Sequence, residues 1–269
     1  MSTLAELVEV LDGFYPPATA ESWDAVGLVV GDPEQDVRRV LLAVDPVEAT
    51  VREALDGGFD LLLSHHPLYL RGTTTVAATS PKGRAVHALV RGGCGLFVAH
   101  TNADVARPGV SDALAAAVGL GGVEPLQPLP TDLSGPLGLG RVGDLPEPMT
   151  VRELVDRVAA ALPRTAAGVR ARGDPDRVVR RLAVCGGAGD SLLVEAAGAA
   201  DAFLTADLRH HPASEAPDGL VLLDAAHWAT EWPWLQDAAT RLRAAATVET
   251  VVSEIDTDPW TYCSRSPQA

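Results

Sequence analysis

Cysteine is scarce in this chain. Three occur, Cys94, Cys185 and Cys263, far apart and with no CxxC pair, which argues against a disulfide framework and against a thiolate zinc site. Cys94 and Cys185 fall in apolar runs and read as core. Aromatic residues make up 4% of the 269 residues, so the core has to be built mainly from Leu, Val and Ala. Basic charge is short too: 21 Lys and Arg against 36 Asp and Glu give a net charge of −15. A surface that acidic repels phosphate backbones and argues against general nucleic-acid binding. One small anion is still admissible, because bound divalent cations reverse the local field. No window reaches the ~18 apolar residues of a membrane span. The start, MSTLAELVEVLDGF, lacks the basic stretch and apolar block of a secretory signal. The expectation is a cytoplasmic protein with no membrane partner.

What the chain does have is a globular composition, 47% hydrophobic and 21% charged, and a length that calls for one large or two modest domains. Apolar runs alternate with helical patterns. A helix is expected from Leu4 to Phe14, capped by Ser2 or Thr3 and ended by Pro16-Pro17. Val40–Val44 reads as a buried strand, Val47–Leu55 as a helix, and Asp60–Ser64 as a strand delivering His65 and His66. Lys82–Val90 is helical, and Gly95–His100 is a strand running into Asp104. That cadence predicts an α/β fold with largely parallel sheets covered by helices. The stretch around 124–140 is rich in Pro and Gly and reads as a connection. The expected division is therefore an α/β domain over 1–125, a connection over 126–140, and a second α/β domain over 141–269. In the second, a helix over Val151–Leu162 is followed by strands at Leu182–Val184, Ala202–Thr205 and Leu220–Leu223. A last helix over Trp234–Ala246 and a strand over Glu249–Ile255 close the chain.

The halves read as a degenerate repeat. Val37–Val44 resembles Val178–Val184, and Asp60–Ser64 resembles Asp201–Thr205. If so, each half presents its strand ends towards one crevice.

Five of the seven histidines, His65, His66, His100, His210 and His227, fall near the carboxyl end of an expected strand, the edge where open α/β sheets bind ligands. Neighbouring strand side chains point to opposite faces, so His65 and His66 can serve one centre only if the chain turns, and Pro67 restricts His66 in that sense. A bare His-His-Pro more often marks two surface histidines before a turn. Asp104 lies just past a strand end, where a carboxylate beside imidazoles suits Zn, Mn or Fe; the alternative there is an Asx turn or a helix cap. His100 reads as a ligand or, preferably, as a donor behind the ligands. His227 and Glu231 are four apart and share a face if helical, which an ordinary exposed pair would also do. Three ligand-bearing segments, each following an expected strand, point to one metal site built from His65, His66, Asp104, His227 and Glu231.

A fourth segment, Thr205-Ala-Asp-Leu-Arg-His-His211, offers Asp207 to orient a ligand, Arg209 to meet a phosphate and His210 to transfer protons, or else a plain helix start capped by Asp207. Gly186-Gly-Ala-Gly189 follows a strand but lacks the GK[ST] ending of a phosphate loop and fits GxGxxG poorly; it reads as a tight turn. The five tryptophans read as crevice walls or core.

In this order the segments Ser22-Trp-Asp-Ala-Val-Gly-Leu28, Ser64-His-His-Pro67, His100-Thr-Asn-Ala-Asp104, Thr205–His210, Asp224–Glu231 and Asp256-Thr-Asp-Pro-Trp260 resemble the GTP cyclohydrolase I type 2-like family, also called Nif-three-like dinuclear-metal hexamers. The resemblance covers nearly the whole chain. It implies two α/β domains, a toroidal homohexamer, and two divalent ions (Zn, Mn or Fe) per subunit held by His65, His66, Asp104, His227 and Glu231. It also implies the short form of the family, without an inserted domain. Two positions depart from its pattern: Ala25 stands where Asn is usual, and Ala206 where Gly is usual.

The reading that follows is a dinuclear metal-dependent hydrolase, with metal-activated water attacking a small anionic substrate such as GTP at C8 of guanine. His210 and Glu231 would relay protons, and Arg71 or Arg209 would hold phosphate. The alternatives are a metal-binding or regulatory hexamer without turnover, and a phosphoesterase-like hydrolase.

Overall fold

A computed structural model describes residues 2–130 and 136–264. In chain order the elements are β1 Ser2–Thr3, α1 Leu4–Phe14, β2 Gly27–Val30, β3 Asp36–Val37, β4 Arg39–Ala43, α2 Glu48–Asp56, β5 Leu61–Ser64 and α3 Pro81–Gly92. Next come β6 Gly95–Val98, α4 Thr101–Val105, α5 Val110–Val118, β7 Gly121–Pro128, β8 Gly138–Thr150 and α6 Val151–Ala161. The chain continues through β9 Arg170–Arg172, β10 Val178–Ala188, α7 Leu193–Ala199, β11 Ala202–Ala206 and α8 His210–Ser214. It ends with β12 Val221–Ala225, α9 His227–Ala245 and β13 Glu249–Val252.

Two compact units divide these elements, one comprising 1–106 with 235–257, the other 107–234 with 258–269. The expected boundary near 125 thus lies elsewhere. The reason is pairing: β7 lies antiparallel against β8, and β13 lies parallel against β4, from Glu249 beside Arg39 to Val252 beside Leu42. Strand β13 therefore completes the first sheet.

The first unit carries a five-stranded sheet in the order β13-β4-β5-β6-β2. The neighbours β13, β4, β5 and β6 are parallel, and β2 closes the edge antiparallel. Strands β5 and β6 are buried along their whole length, as expected where both faces are covered. Leu41, Leu62 and Leu96 pack with Val51, Ala54, Ala85 and Leu89 from α2 and α3. Helix α1 begins at a capping box in which Thr3 accepts from the Glu6 N–H and Glu6 accepts from the Thr3 N–H.

The second unit holds a six-stranded sheet, β7-β8-β10-β11-β12-β9. Here β10, β11 and β12 are parallel, while β7, β8 and β9 pair antiparallel. The sheet is mixed rather than largely parallel. Part of its antiparallel edge overlaps the stretch read as a connection: residues 121–128 and 138–150 form paired strands that take in both ends of 126–140. Positions 131–135 of that stretch lie outside the described residues.

The two halves share one hydrogen-bonding device. Asp60 accepts from the N–H groups of Arg38 and Arg39 at 2.8 and 2.9 Å. Asp201 accepts from those of Arg180 and Arg181 at 2.8 and 3.0 Å. Each aspartate thereby ties an Arg-Arg pair at or near the start of one strand to the head of the parallel strand that follows, β4 with β5 and β10 with β11. No helix among the described residues is long and apolar enough to cross a membrane.

Candidate metal centre

In the first unit, β4, β5 and β6 end side by side, and their carboxyl ends deliver Asp45, His65-His66 and His100. The backbone N–H of His65 still bonds to Ala43 O at 3.2 Å and that of His66 to Val44 O at 2.9 Å. The strand geometry is then lost, with the Ser64 hydroxyl donating to the His66 carbonyl. The two adjacent rings end up neighbours, their centroids 5.1 Å apart, instead of on opposite faces of the sheet. The His100 ring stands 5.2 Å from His65 and 5.5 Å from His66. One potential ligand atom from each of the three lies within 4.8 Å of the others. Asp104, on α4, brings Oδ1 to 3.7 Å from His65 Nε2.

Each ring is held from behind by an oxygen. His65 Nδ1 donates to the Ala99 carbonyl at 2.8 Å, His66 Nδ1 meets Asp45 Oδ1 at 2.7 Å, and His100 Nδ1 meets Asp24 Oδ1 at 2.8 Å. A carbonyl cannot donate, so His65 carries a proton on Nδ1 and turns Nε2 towards the site; a carboxylate oxygen at Nδ1 orients the other two rings in the same way. An oxygen behind each imidazole is the arrangement that orients metal-binding histidines.

The electrostatics agree with that use. Burial, reinforced by the neighbouring His65 and His66, pushes the His100 pKa down from 6.5 to about 4 in spite of Asp24. The ring is therefore neutral near pH 7, the form a metal requires. Burial pushes the Asp24 carboxyl up, but hydrogen bonds from His100 and Thr101 outweigh it and leave the group below its ordinary value. Asp24 also accepts from the Ala25 N–H at 2.7 Å, so Ala25 takes part through its backbone. Trp23, 56% exposed, sets its ring edge-on to His100 at 6.0 Å.

The second unit carries its own donor group. His227 and Glu231 lie on the first turns of α9, with His227 Nε2 2.9 Å from Glu231 Oε1. His227 Nδ1 is bound by Asp207 Oδ2 at 2.7 Å. Asp207 stands past the end of β11 at φ +57, a left-handed conformation that Asp tolerates better than most residues. With Nδ1–H directed at Asp207, the face between Nε2 and the buried Glu231 carboxylate calls for a proton or a cation. Glu231 is 3% exposed, so a positive partner there is worth more than on the surface.

Other expected participants are more peripheral. His210 opens α8, exposed, its ring 5.2 Å from that of His211. Arg209 pairs with Asp190 at 2.9 Å, and Arg71 is exposed. Ala206, fully buried, ends β11 opposite Ala225. Sequence reasoning did not single out Asp45, although it follows β4 at the same edge as the histidines. That position was the available signal.

The chain is similar to known proteins over most of its length. The model of the Duf34/NIF3 (NGG1p interacting factor 3) family matches residues 2–259. A GTP cyclohydrolase 1 type 2 homolog of Streptomyces coelicolor is 58% identical over 97% of this chain and 94% of its own length. The homolog of the same name from Mycobacterium tuberculosis is 40% identical, covering 96% of each chain. That alignment runs over 366 positions against the 269 residues here, so the mycobacterial relative carries residues with no counterpart in this chain. A Staphylococcus aureus hypothetical protein of solved structure superposes with a TM-score of 0.88 at 28% identity, over 97% of this chain and 99% of its own.

Proposed function

The chain belongs to the Duf34/NIF3 family, and from that premise we propose that it is a dinuclear metal-dependent hydrolase acting on a small anionic substrate such as GTP. The ligands in this reading are His65, His66, Asp104, His227 and Glu231. One observation carries it: His65, His66 and His227 each have Nδ1 tied to an oxygen at 2.7–2.8 Å, which turns Nε2 into the metal-binding atom. His100, tied in the same way to Asp24, adds a fourth imidazole of that kind. This donor set of imidazole and carboxylate suits Zn, Mn or Fe. The name carried by the Streptomyces relative, GTP cyclohydrolase 1 type 2 homolog, supports GTP as the first substrate to try. Bound ions would supply Lewis acidity and the activation of water near neutral pH.

The remaining work falls to the chain. Asp45, Asp24 and Asp207 hold their imidazoles in one orientation, so no ring has to be ordered during reaction. Glu231 would take the proton of the water that attacks C8 of guanine and return it to the ring nitrogen that leaves. His210, exposed at the start of α8, would exchange that proton with solvent. Arg71 or Arg209 would meet the phosphates, Arg209 exchanging Asp190 for them. We further propose a cytoplasmic homohexamer, supported by the family resemblance.

The test is product formation from GTP with protein loaded with Zn, Mn or Fe, each beside His66→Ala. The reading expects ring-opened product that falls with His66→Ala. Equal product from both proteins would reveal a contaminant. Release of phosphate without ring opening would make the protein a phosphoesterase. No product from GTP or from a metabolite library would leave a metal-binding or regulatory protein.

A further inference from the structure

The run Gly186-Gly-Ala-Gly189 has no part in the chemistry above, and its packing explains its composition. A Cβ at Gly187, whose φ is +66, would lie 2.4 Å from Glu231 Oε1 and 2.9 Å from His227 Nε2. A Cβ at Gly186 would meet Val110 Cγ1 at 2.6 Å, and one at Gly189 would meet Thr205 Oγ1 at 2.5 Å. None of the three positions has room for a side chain.

The polar groups of Gly187 are engaged within the protein. Its N–H donates to Thr230 Oγ1 at 2.9 Å, and its carbonyl accepts from Thr205 Oγ1 at 2.8 Å. Thr230 in turn donates to the His227 carbonyl at 2.8 Å. Both threonines are fully buried. A hydrogen-bonded path thus runs from the end of β11, through the carbonyl and the N–H of Gly187, to the first turn of α9. An amide already bonded to Thr230 cannot cradle a phosphate.

We propose that Gly187, clamped by Thr205 and Thr230, is the positioning residue of the His227–Glu231 pair. Its bare Cα forms the wall against which both ligand atoms rest. Any side chain there displaces them, and loss of the Thr230 hydroxyl releases both the wall and the helix turn carrying His227. The consequence for metal affinity rests on the function proposed above; the positioning itself does not.

The experiment compares wild type with Gly187→Ala, Thr230→Val and Thr230→Ser. Long-range ¹H–¹⁵N spectra of the metal-free proteins report the His227 ring, assigned with His227→Asn. The His227 signals should move in Gly187→Ala and Thr230→Val and hold their wild-type positions in Thr230→Ser, which keeps the hydroxyl. Zn²⁺ affinity, measured by chelator competition, should fall about 10–100-fold in the first two variants, as for other losses of ligand support, and be retained in Thr230→Ser. Should Gly187→Ala fail to fold, the two variants at 230 decide. Unmoved His227 signals in folded Thr230→Val overturn the proposal. If wild type binds none of Zn²⁺, Mn²⁺ and Fe²⁺ while those signals move in Thr230→Val, the metal reading falls and the positioning role stands.

Discussion

Asp45 Oδ1 lies 2.7 Å from His66 Nδ1, while its other oxygen accepts from the Thr257 hydroxyl. The carboxylate is thereby fixed from one side and fixes the imidazole on the other. Removing it in Asp45→Ala should free the tautomer and orientation of His66 without deleting a ligand. The expected result is a loss of metal affinity of about 10–100-fold, read by chelator competition, with the fold retained by circular dichroism. Unchanged affinity would show that His66 needs no support from Asp45.

His100 predicts a pH dependence of stability in chelator-stripped protein. Its pKa falls from 6.5 to about 4 on folding, so below pH 6.5 the unfolded chain takes up a proton that the folded chain refuses. Stability from this group is complete above pH 6.5 and is lost as pH falls towards 4. Urea denaturation at pH 7.5, 6, 5 and 4 should show the decline, and His100→Asn should flatten that part of it. An identical decline in both proteins would assign the effect to other groups.

Arg141 is a structural counterpart to these sites. Fully buried, it grips Asp112 with Nε and Nη2 at 2.8 and 2.7 Å and donates through Nη1 to the carbonyls of Gly138 and Gly140. It ties β8 to the start of α5. Arg141→Ala leaves the partner carboxylate and two carbonyls without this donor, so a loss of about 3–5 kcal/mol is expected in urea denaturation. Arg152→Ala, which breaks an exposed 3.6 Å pair with Asp176, should change stability by less than about 1 kcal/mol.

Thiol chemistry should separate the cysteines. Burial pushes the Cys94 pKa up to about 12, and Cys185 is also buried, whereas Cys263 is exposed. Because the thiolate is the reacting species, Ellman's reagent should titrate one thiol quickly in native protein and the rest after denaturation. Rapid reaction of all three in native protein would contradict the burial.

Much of this was legible in the sequence, for reasons visible at particular residues. Thr3 and Glu6 mark the start of α1, and the buried runs of β4, β5 and β6 are short, apolar and bounded by polar residues, so the strand ends carrying His65, His66 and His100 could be located. The similarity of Asp60–Ser64 to Asp201–Thr205 corresponds to a shared hydrogen-bond pattern at Asp60 and Asp201. The second sheet was less legible. Pro125, Pro128 and the glycines around Gly138 to Gly143 read as punctuation, yet these segments pair as β7 and β8. Cross-strand pairing overrides local propensity in such a hairpin. The sequence pattern starts the last helix at Trp234. It begins instead at His227 and carries Pro233 inside, so His227 and Glu231 share its first turns. Asp45 and the Gly187 clamp depend on contacts distant in sequence, which no local pattern records.

Counting metal decides whether this chain holds a dinuclear centre. Protein purified without chelator, or reconstituted separately with Zn, Mn and Fe, should retain two ions per chain by elemental analysis. His66→Ala and Glu231→Ala should each lose at least one, while His87→Ala keeps both. A wild-type chain that retains none of the three metals, or a Glu231→Ala protein with full occupancy, would contradict the account.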